Sequence, residues 1–194
     1  MEELKDVLKR VSGKILAVEK ICIAMNFQIW TVIMAGYYVL IAPLDRVPLW
    51  LTIAYWSFGA VVFAYASKSL WRKVSMLISE GGSGKVNFGI FLSWVIAALF
   101  GWFFVPSMIG GYFLQRLAVG LLSFISTAVI GMIATIYFWA KKLEVEMVPA
   151  FLIPALAIPL VYLSKNPMDF AGMTIVLGYG TIVILYTIRA FKVA

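Results

Sequence analysis

The sequence predicts an all-α integral membrane protein whose six transmembrane helices form three antiparallel hairpins, with both termini cytoplasmic and an amphipathic interfacial helix at the N-terminus. Three observations support this fold class. Of the 194 residues, 63% are hydrophobic and 13% are charged, whereas soluble domains are about 45–50% apolar and about 25% charged. Apolar stretches long enough to cross a bilayer recur six times. Lys and Arg residues gather in alternate connections between those stretches.

The first predicted element is an amphipathic helix over residues 1–19. Its apolar residues recur at helical spacing and form one stripe, made of Leu4, Val7, Leu8, Val11, Ile15 and Val18. Charged residues cover the opposite face, where Asp6 can pair with Lys9 and Arg10 one turn away. This pattern predicts a helix lying on the inner membrane surface, and the alternative is a docking helix for a soluble partner.

The rest of the chain, residues 20–194, is predicted to be one transmembrane domain. A spanning helix needs about 20 mostly apolar residues. Six such spans are predicted at about 21–43, 48–67, 87–106, 116–140, 147–164 and 171–189. The boundary between the third and fourth spans is the least distinct, because Gln115 and Arg116 are the only strongly polar residues between positions 88 and 140. Pro106 and the pair Gly110-Gly111 supply the expected break.

Basic residues predict the orientation. Of the 16 Lys and Arg residues, all but Arg46, Arg116 and Lys165 fall on one side of the predicted spans. The positive-inside rule therefore predicts a multi-pass protein of the cell membrane with cytoplasmic N- and C-termini. Each outer turn has a proline preceded by large, partly aromatic residues, in the stretches "YYVLIAP", "GWFFVP" and "VYLSKNP". Whether this pattern is a true internal repeat is left open.

The composition argues against an enzyme. There is no histidine and one cysteine, Cys22, which excludes histidine-based zinc or haem sites and Ser-His or Cys-His catalysis. All nine acidic residues fall in predicted termini or connections, so no acidic pair or metal cluster is expected within the bilayer. We therefore predict no catalytic residue, no metal, no cofactor and no nucleic-acid partner.

The candidate substrate or gating site lies in the fifth and sixth predicted spans. Pro154 and Pro159 each remove a hydrogen bond within the fifth helix, and transporters often place substrate where Pro/Gly-interrupted helices meet. The predicted site contains Pro154, Pro159, Tyr162, Thr174, Gly178, Tyr179, Gly180 and Thr181. Kinked packing of the two helices without a ligand is the alternative.

Residues 176–180, "VLGYG", are similar to the filter sequence of potassium channels. Such a filter is an extended segment followed by a complete spanning helix, whereas here only residues 181–194 follow. Val176 and Leu177 also stand where the filter has Thr and Val. We therefore expect Gly178 and Gly180 to lie inside the sixth helix, where their bare faces admit the backbone of the fifth.

Charged residues near the outer turns form a second candidate set, made of Asp45, Arg46, Arg116, Lys165 and Asp169. They either clamp an ionic solute at an outer mouth or form a solvated rim with weak ion pairs.

Small residues recur at every fourth position in the third and fourth spans. They are Ser93, Ala97 and Gly101 in the third, and Ser123, Thr127, Gly131 and Thr135 in the fourth. Such stripes let membrane helices approach closely, so the two spans are expected to pack there. The alternative is a polar path lined by the hydroxyl groups.

These features predict a small transporter, permease or substrate-binding membrane subunit for an uncharged or weakly polar solute. An ionic cargo is not expected, because no charge is predicted within the membrane core. A non-catalytic structural or assembly subunit of a larger membrane complex is the second hypothesis, and an oligomeric channel is the third. The expected partners are the lipid bilayer, a protein bound at the basic cytoplasmic helices, and further copies of the chain.

Overall fold

A computed structural model describes residues 2–42, 44, 47–75 and 83–194. The structure is 91% helix, and its described residues contain no strand. Six helical segments within them are long and apolar enough to cross a membrane. The prediction of an all-helical chain with six membrane-compatible helices is therefore confirmed, and these helices indicate a multi-pass membrane protein.

The six membrane-compatible segments are built from seven α-helices and short segments of tighter or wider helix. The α-helices are α1 (Glu2–Gly36), α2 (Leu49–Ser75), α3 (Ser83–Leu99), α4 (Val105–Met108), α5 (Phe113–Ala140), α6 (Val148–Ala157) and α7 (Pro167–Val193). A π-helical turn, Tyr37–Ile41, extends α1, and a second, Phe100–Phe104, joins α3 to α4. The 3-10 segments Val145–Met147 and Ile158–Leu163 flank α6.

The turn between α4 and α5 shows how local residues set the boundaries. Pro106 lies in α4, within a helical segment that runs on from the π-helical turn and ends at Met108, so its missing N–H removes one hydrogen bond of that segment. Gly111 has φ 112°, a left-handed conformation that glycine adopts without strain. The Gln115 side chain then accepts a hydrogen bond from the Tyr112 N–H at 3.3 Å and helps to cap α5.

The helices pack around α1, α5 and α7. The most extensive contact joins α1 to α7, while α5 contacts α3, α6 and α7. A side chain at Gly13 would meet the Val193 carbonyl, and one at Gly172 would meet the Tyr38 ring. The start of α1 therefore lies beside the end of α7, so that both chain ends lie at one end of the bundle. We call it the basic end.

The N-terminal segment differs from the separate interfacial helix that the sequence predicts. Residues 2–36 form one unbroken helix, α1, so the amphipathic segment continues directly into the first span. Ala17, Lys20 and Ala24 are buried. The first three turns have exposed side chains and extend beyond the core of the bundle.

Candidate functional site

A cavity of about 550 Å³ lies among α1, α2, α3, α5 and α7, toward the end of the bundle opposite the basic end. None of its thirteen lining residues is charged, and eight are aromatic. The aromatic residues are Trp30, Tyr37, Tyr38, Trp56, Trp94, Trp102, Phe124 and Tyr179. We call this space the aromatic cavity. Ligand sites of this kind are typically apolar and aromatic with a small number of orienting polar groups.

Both π-helical turns contribute to the cavity. Tyr37 and Tyr38 belong to the turn that extends α1, and Trp102 belongs to the turn that follows α3. A π-helical turn inserts an extra residue into the helical repeat, which re-aims the side chains around it and is frequent at functional sites. The sequence contained a signal for these turns, since each coincides with an aromatic stretch before an outer proline.

Contacts between rings hold the cavity wall in place. Tyr37 lies 5.0 Å from Trp56 and packs edge-on against Tyr38 at 5.2 Å between ring centroids. Trp94 and Phe124 make a T-shaped pair at 5.4 Å on the α3–α5 side. Such pairs are each worth about 0.5–1.5 kcal/mol beyond their buried area, so the wall has defined geometry before any ligand enters.

Few polar groups reach the cavity. The Tyr37 hydroxyl and Thr52 Oγ1 lie 3.2 Å apart and join α1 to α2. Besides these, the lining offers only the hydroxyls of two tyrosines and the indole N–H groups of its tryptophans. Burial of an unpaired charge in such surroundings is strongly unfavourable, so the chemistry of the lining favours an uncharged solute with a small polar edge.

The α2 wall of the cavity is held by a single neighbour. In the part of the chain that the structure describes, α1 is the only helix on which α2 packs substantially. Tyr55 donates a hydrogen bond to the Ile33 carbonyl at 2.7 Å, and Ser67 donates to Asn26 Oδ1 at 2.5 Å. By contrast, the α3 and α5 walls pack closely against each other. Of the walls, α2 is therefore the least constrained.

A buried ionic group lies at the basic end of the bundle. Lys20 Nζ of α1 lies 2.5 Å from Glu144 Oε2, and the Tyr186 hydroxyl of α7 donates to the same oxygen at 2.8 Å. The ammonium also stands 5.2 Å from the centroid of the Tyr186 ring. All three residues are buried, so a single carboxylate joins α1, the α5–α6 connection and α7.

Two further ion pairs flank this group. Lys142 Nζ lies 3.4 Å from Glu19, and Arg189 Nε lies 3.6 Å from Glu146. With Lys20, Glu144 and Tyr186 they make up what we call the basic-end cluster, which closes the bundle at this end. From the sequence, these charged residues were predicted to lie in the termini and in a connection between spans. Their burial could not be predicted, because Lys20 and Glu144 are 124 positions apart.

Of the eight residues predicted as a substrate or gating site, only Tyr179 lines the aromatic cavity. Tyr162 is exposed, with its hydroxyl 3.5 Å from the Gly110 carbonyl. Thr174 and Thr181 donate to carbonyls of their own helix, one turn back. The structure does not bring the eight residues together into one site.

The proline-rich segment does change its helical form. Pro154 lies inside α6, and the α-helix ends at Ala157, two residues before Pro159, to continue as a 3-10 segment. Gly178 faces this helix, since a Cβ there would lie 3.3 Å from the Pro149 carbonyl oxygen. Gly180 was expected to contact the backbone of the fifth helix as well, but a Cβ there would have no neighbour within 4 Å.

The "VLGYG" stretch lies within α7, which is α-helical throughout Pro167–Val193. The prediction that both of its glycines lie inside the last helix is confirmed, and the extended conformation of an ion filter is absent from this stretch.

Of the five charged residues predicted near the outer turns, Asp45 and Arg46 lie outside the described residues. Arg116, Lys165 and Asp169 form no ion pair with one another in the part of the chain that the structure describes. Arg116 Nε is buried and donates no hydrogen bond to any of the described residues. No ionic clamp is formed by these three residues.

The small-residue stripes of α3 and α5 face each other in part. A Cβ at Gly131 would lie 2.7 Å from the Ser93 side chain, and one at Gly101 would lie 2.5 Å from Phe124 Cβ. Ser93 Oγ lies 3.4 Å from Thr135 Oγ1, and Ala97 is fully buried. Ser123 is buried and Thr127 is half-buried. None of the seven small residues of the two stripes lines the aromatic cavity.

Comparison of the chain with protein-family models, with curated proteins and with solved structures finds no match. Within the described residues there is also no group of three Cys, Asp or Glu side chains placed to hold a metal ion. The geometry of the aromatic cavity and of the basic-end cluster is therefore the basis for a functional proposal.

Proposed function

We propose that this protein is a multi-pass cell-membrane protein that binds an uncharged or weakly polar solute in the aromatic cavity, as a small transporter, permease or substrate-binding subunit. The observation that carries the proposal is a cavity of about 550 Å³ whose lining, among the described residues, has eight aromatic side chains and no charged one. Its volume falls within the range of about 300–1,000 Å³ that is typical of small-molecule sites.

The same proposal includes the orientation of the chain. The positive-inside rule favours the basic end, and with it both termini, on the cytoplasmic side. Contacts of α1 with α2, of α3 with α5 and of α6 with α7 support three antiparallel hairpins. The aromatic cavity then lies in the outer half of the bundle, and the basic-end cluster closes the inner half.

This arrangement supplies the parts of an alternating-access mechanism. The cavity admits solute from the outer side or from the bilayer, and α2 is the wall best able to move because it is held by α1 alone. Passage toward the cytoplasm requires the inner end to open. The three ion pairs of the basic-end cluster tie α1 and α7 to the α5–α6 connection there. No step requires a catalytic residue, so we propose a non-enzymatic role.

The second candidate, a structural or assembly subunit, is favoured by one observation. The first turns of α1 carry an exposed apolar stripe beyond the core of the bundle, and exposed apolar surface outside the bilayer commonly marks a protein contact. A subunit with a purely structural role needs no small molecule, so the two candidates differ in whether the aromatic cavity binds a solute.

Solute binding is tested with protein reconstituted in lipid nanodiscs. Naphthol, indole, coumarin and cyclohexanol serve as uncharged probes, and benzoate and benzylammonium as charged ones. A binder at 100 times its Kd raises the free energy of unfolding by about 2.7 kcal/mol. We expect this stabilisation, and a change in tryptophan fluorescence, for uncharged aromatic probes alone.

Two tryptophans of α2 provide a matched pair of variants. Trp56→Leu removes a ring from the cavity, whereas Trp50→Leu changes a ring that is 68% exposed on the same helix. Stabilisation by the probes is expected to disappear in the first variant and persist in the second. If no uncharged probe stabilises the native chain, or if both variants lose the response equally, the binding proposal is wrong.

A further inference from the structure

The exposed stripe on α1 has the spacing of a coiled-coil seam. Steps of four and three residues alternate along Leu4, Leu8, Val11, Ile15 and Val18. A mean repeat of 3.5 residues is the pattern with which helices pack on one another in a left-handed supercoil. In heptad terms Leu8 and Ile15 occupy the a positions, and the other three occupy the d positions. We call these five residues the α1 seam.

The first three residues of the α1 seam are exposed in the described part of the molecule. Leu4, Leu8 and Val11 are 65%, 57% and 49% exposed. Gly13 and Lys20, at the opposite heptad position f, face α7 and the basic-end cluster instead. Among the described residues of its own chain, therefore, no helix packs along the seam at its first three positions.

The length of α1 argues against a location on the bilayer surface. Its 35 residues make a helix of about 52 Å, whereas the hydrocarbon core of a bilayer is about 30 Å thick. Residues 2–18 precede the basic-end cluster and extend for about 25 Å. Because this segment is collinear with the first span, its seam can lie on the membrane surface only if the helix breaks.

Charge complementarity identifies a second copy of the chain as the partner. Copies inserted in one membrane with the same orientation bring their α1 helices together in parallel. In a parallel coiled coil, a residue at position g faces position e of the next heptad on the other helix. Lys14 at g then faces Glu19 at e, and Val7 at g faces Ser12, so no like charges are opposed.

We propose that the α1 seam is the surface through which copies of this chain associate, as parallel helices beyond the membrane. Glu19, which pairs with Lys142 of its own chain at 3.4 Å, would be shared with Lys14 of the other copy. A seam of two heptads is short for an isolated coiled coil. The membrane compensates, because it aligns the copies and raises their effective concentration.

Disulfide cross-linking in proteoliposomes tests the proposal, in a Cys22→Ala background. Val11→Cys places a thiol at a d position, and Asp6→Cys places one at position f on the opposite face, where the side chain is also exposed. With a copper–phenanthroline oxidant we expect cross-linked dimers of Val11→Cys at ten times the yield of Asp6→Cys or more. Equal yields at the two positions would indicate random collision and overturn the proposal.

The reactivity of the same thiols toward a water-soluble maleimide separates the remaining outcomes. A Val11→Cys thiol that is reactive but not cross-linked shows a free seam, and one that is neither reactive nor cross-linked shows burial in lipid or another protein. Either result rejects the proposal.

A charge variant provides an independent check. Lys14→Glu opposes like charges across the seam and is expected to lower the cross-linked fraction of Val11→Cys several-fold. Lys9→Glu, at a b position on the outside of the coiled coil, is the control and is expected to leave it unchanged. An equal response to both variants would contradict the parallel register.

Discussion

Helices α2 and α5 have nearly the same length, 27 and 28 residues, yet occupy opposite places in the bundle. In the most apolar part of α5, 56% of the residues are buried within the protein, against 6% in α2. Helix α5 contacts α3, α6 and α7, whereas α2 packs on α1. We refer to α5, the helices packed on it and the basic-end cluster that joins α1 and α7 to the α5–α6 connection as the centre, and to α2 as the rim.

Helix placement in this protein follows side-chain shape. Between helices in lipid there is no hydrophobic driving force, so close packing and hydrogen bonds decide which helices meet. Gly101 of the turn after α3 and Gly120 of α5 let two backbones come together at the centre. The rim instead carries large exposed side chains such as Trp50, Phe58 and Tyr65, which suit contact with lipid.

The first prediction carries the largest expected effect and concerns the centre. Glu144→Ala removes the carboxylate that Lys20 and Tyr186 share and leaves a buried ammonium without its counter-charge. Loss of one partner of a buried ion pair costs about 3–5 kcal/mol. We expect the free energy of unfolding to fall by this amount. Thermal unfolding in detergent micelles, followed by tryptophan fluorescence, measures the change.

The control for Glu144→Ala is Asp6→Ala, which breaks the exposed Asp6–Arg10 pair on α1. Exposed pairs contribute about 0–1 kcal/mol, so this variant should unfold close to the native temperature. Equal destabilisation by the two substitutions would show that the Lys20–Glu144 pair is not a determinant of the packed centre.

The second prediction concerns the closest approach of two helices. A methyl group at Gly101 would lie 2.5 Å from Phe124 Cβ, 2.6 Å from its Cα and 2.7 Å from the Gly120 carbonyl oxygen. Because two of these atoms belong to the backbone, Gly101→Ala is expected to destabilise the protein by about 1–3 kcal/mol. Unfolding by titration with sodium dodecyl sulfate measures the change.

Gly180 supplies the matched substitution, because a methyl group there has no neighbour within 4 Å. Alanine is the better helix former by about 1 kcal/mol, so Gly180→Ala should leave stability unchanged or raise it. A loss of stability at Gly180 as large as that at Gly101 would contradict the placement of the two glycines.

The third prediction has the smallest effect on stability and concerns the rim. Tyr55→Phe removes the hydrogen bond that α2 donates to the Ile33 carbonyl. Hydrogen bonds between membrane helices contribute about 0.6 kcal/mol on average, so global unfolding should change little. Because α2 forms one wall of the aromatic cavity, the binding free energy of an uncharged aromatic probe should change by more than the free energy of unfolding does.

Tyr65→Phe is the control for the rim, since Tyr65 is on the same helix and 78% exposed. It is expected to alter neither unfolding nor probe affinity. An effect of Tyr55→Phe on unfolding as large as that of Gly101→Ala would show that α2 belongs to the centre.

Several structural features could be predicted from local sequence. The six membrane-compatible helices follow from runs of apolar residues, and the break near Pro106 follows from proline and glycine chemistry. The helical state of "VLGYG" was also predictable. The continuity of α1 across residue 19 could not be predicted. The amphipathic pattern before this residue and the apolar pattern after it each fit a helix, and neither shows whether one helix ends and another begins there.

The candidate site was largely missed, for a physical reason. The prediction centred on Pro154 and Gly178, which mark weak points in helices, and only Tyr179 of that set lines the cavity. Aromatic residues occur throughout the apolar spans, so their presence in a sequence does not show which rings share a cavity. Only the stretches before the outer prolines contained a usable signal, and their two π-helical turns lie at the cavity wall.

Local sequence is enough to predict that this chain is helical, that six of its segments suit a membrane, and that its basic residues gather at one end. These properties are local, because in lipid a backbone must satisfy its own hydrogen bonds within each apolar segment. Only the packing of the helices makes α5 central and α2 peripheral, brings Lys20 to Glu144, and places eight aromatic rings along the wall of one open cavity. Those outcomes depend on which helix surfaces fit together, and this is a property of pairs of distant segments that no single segment contains.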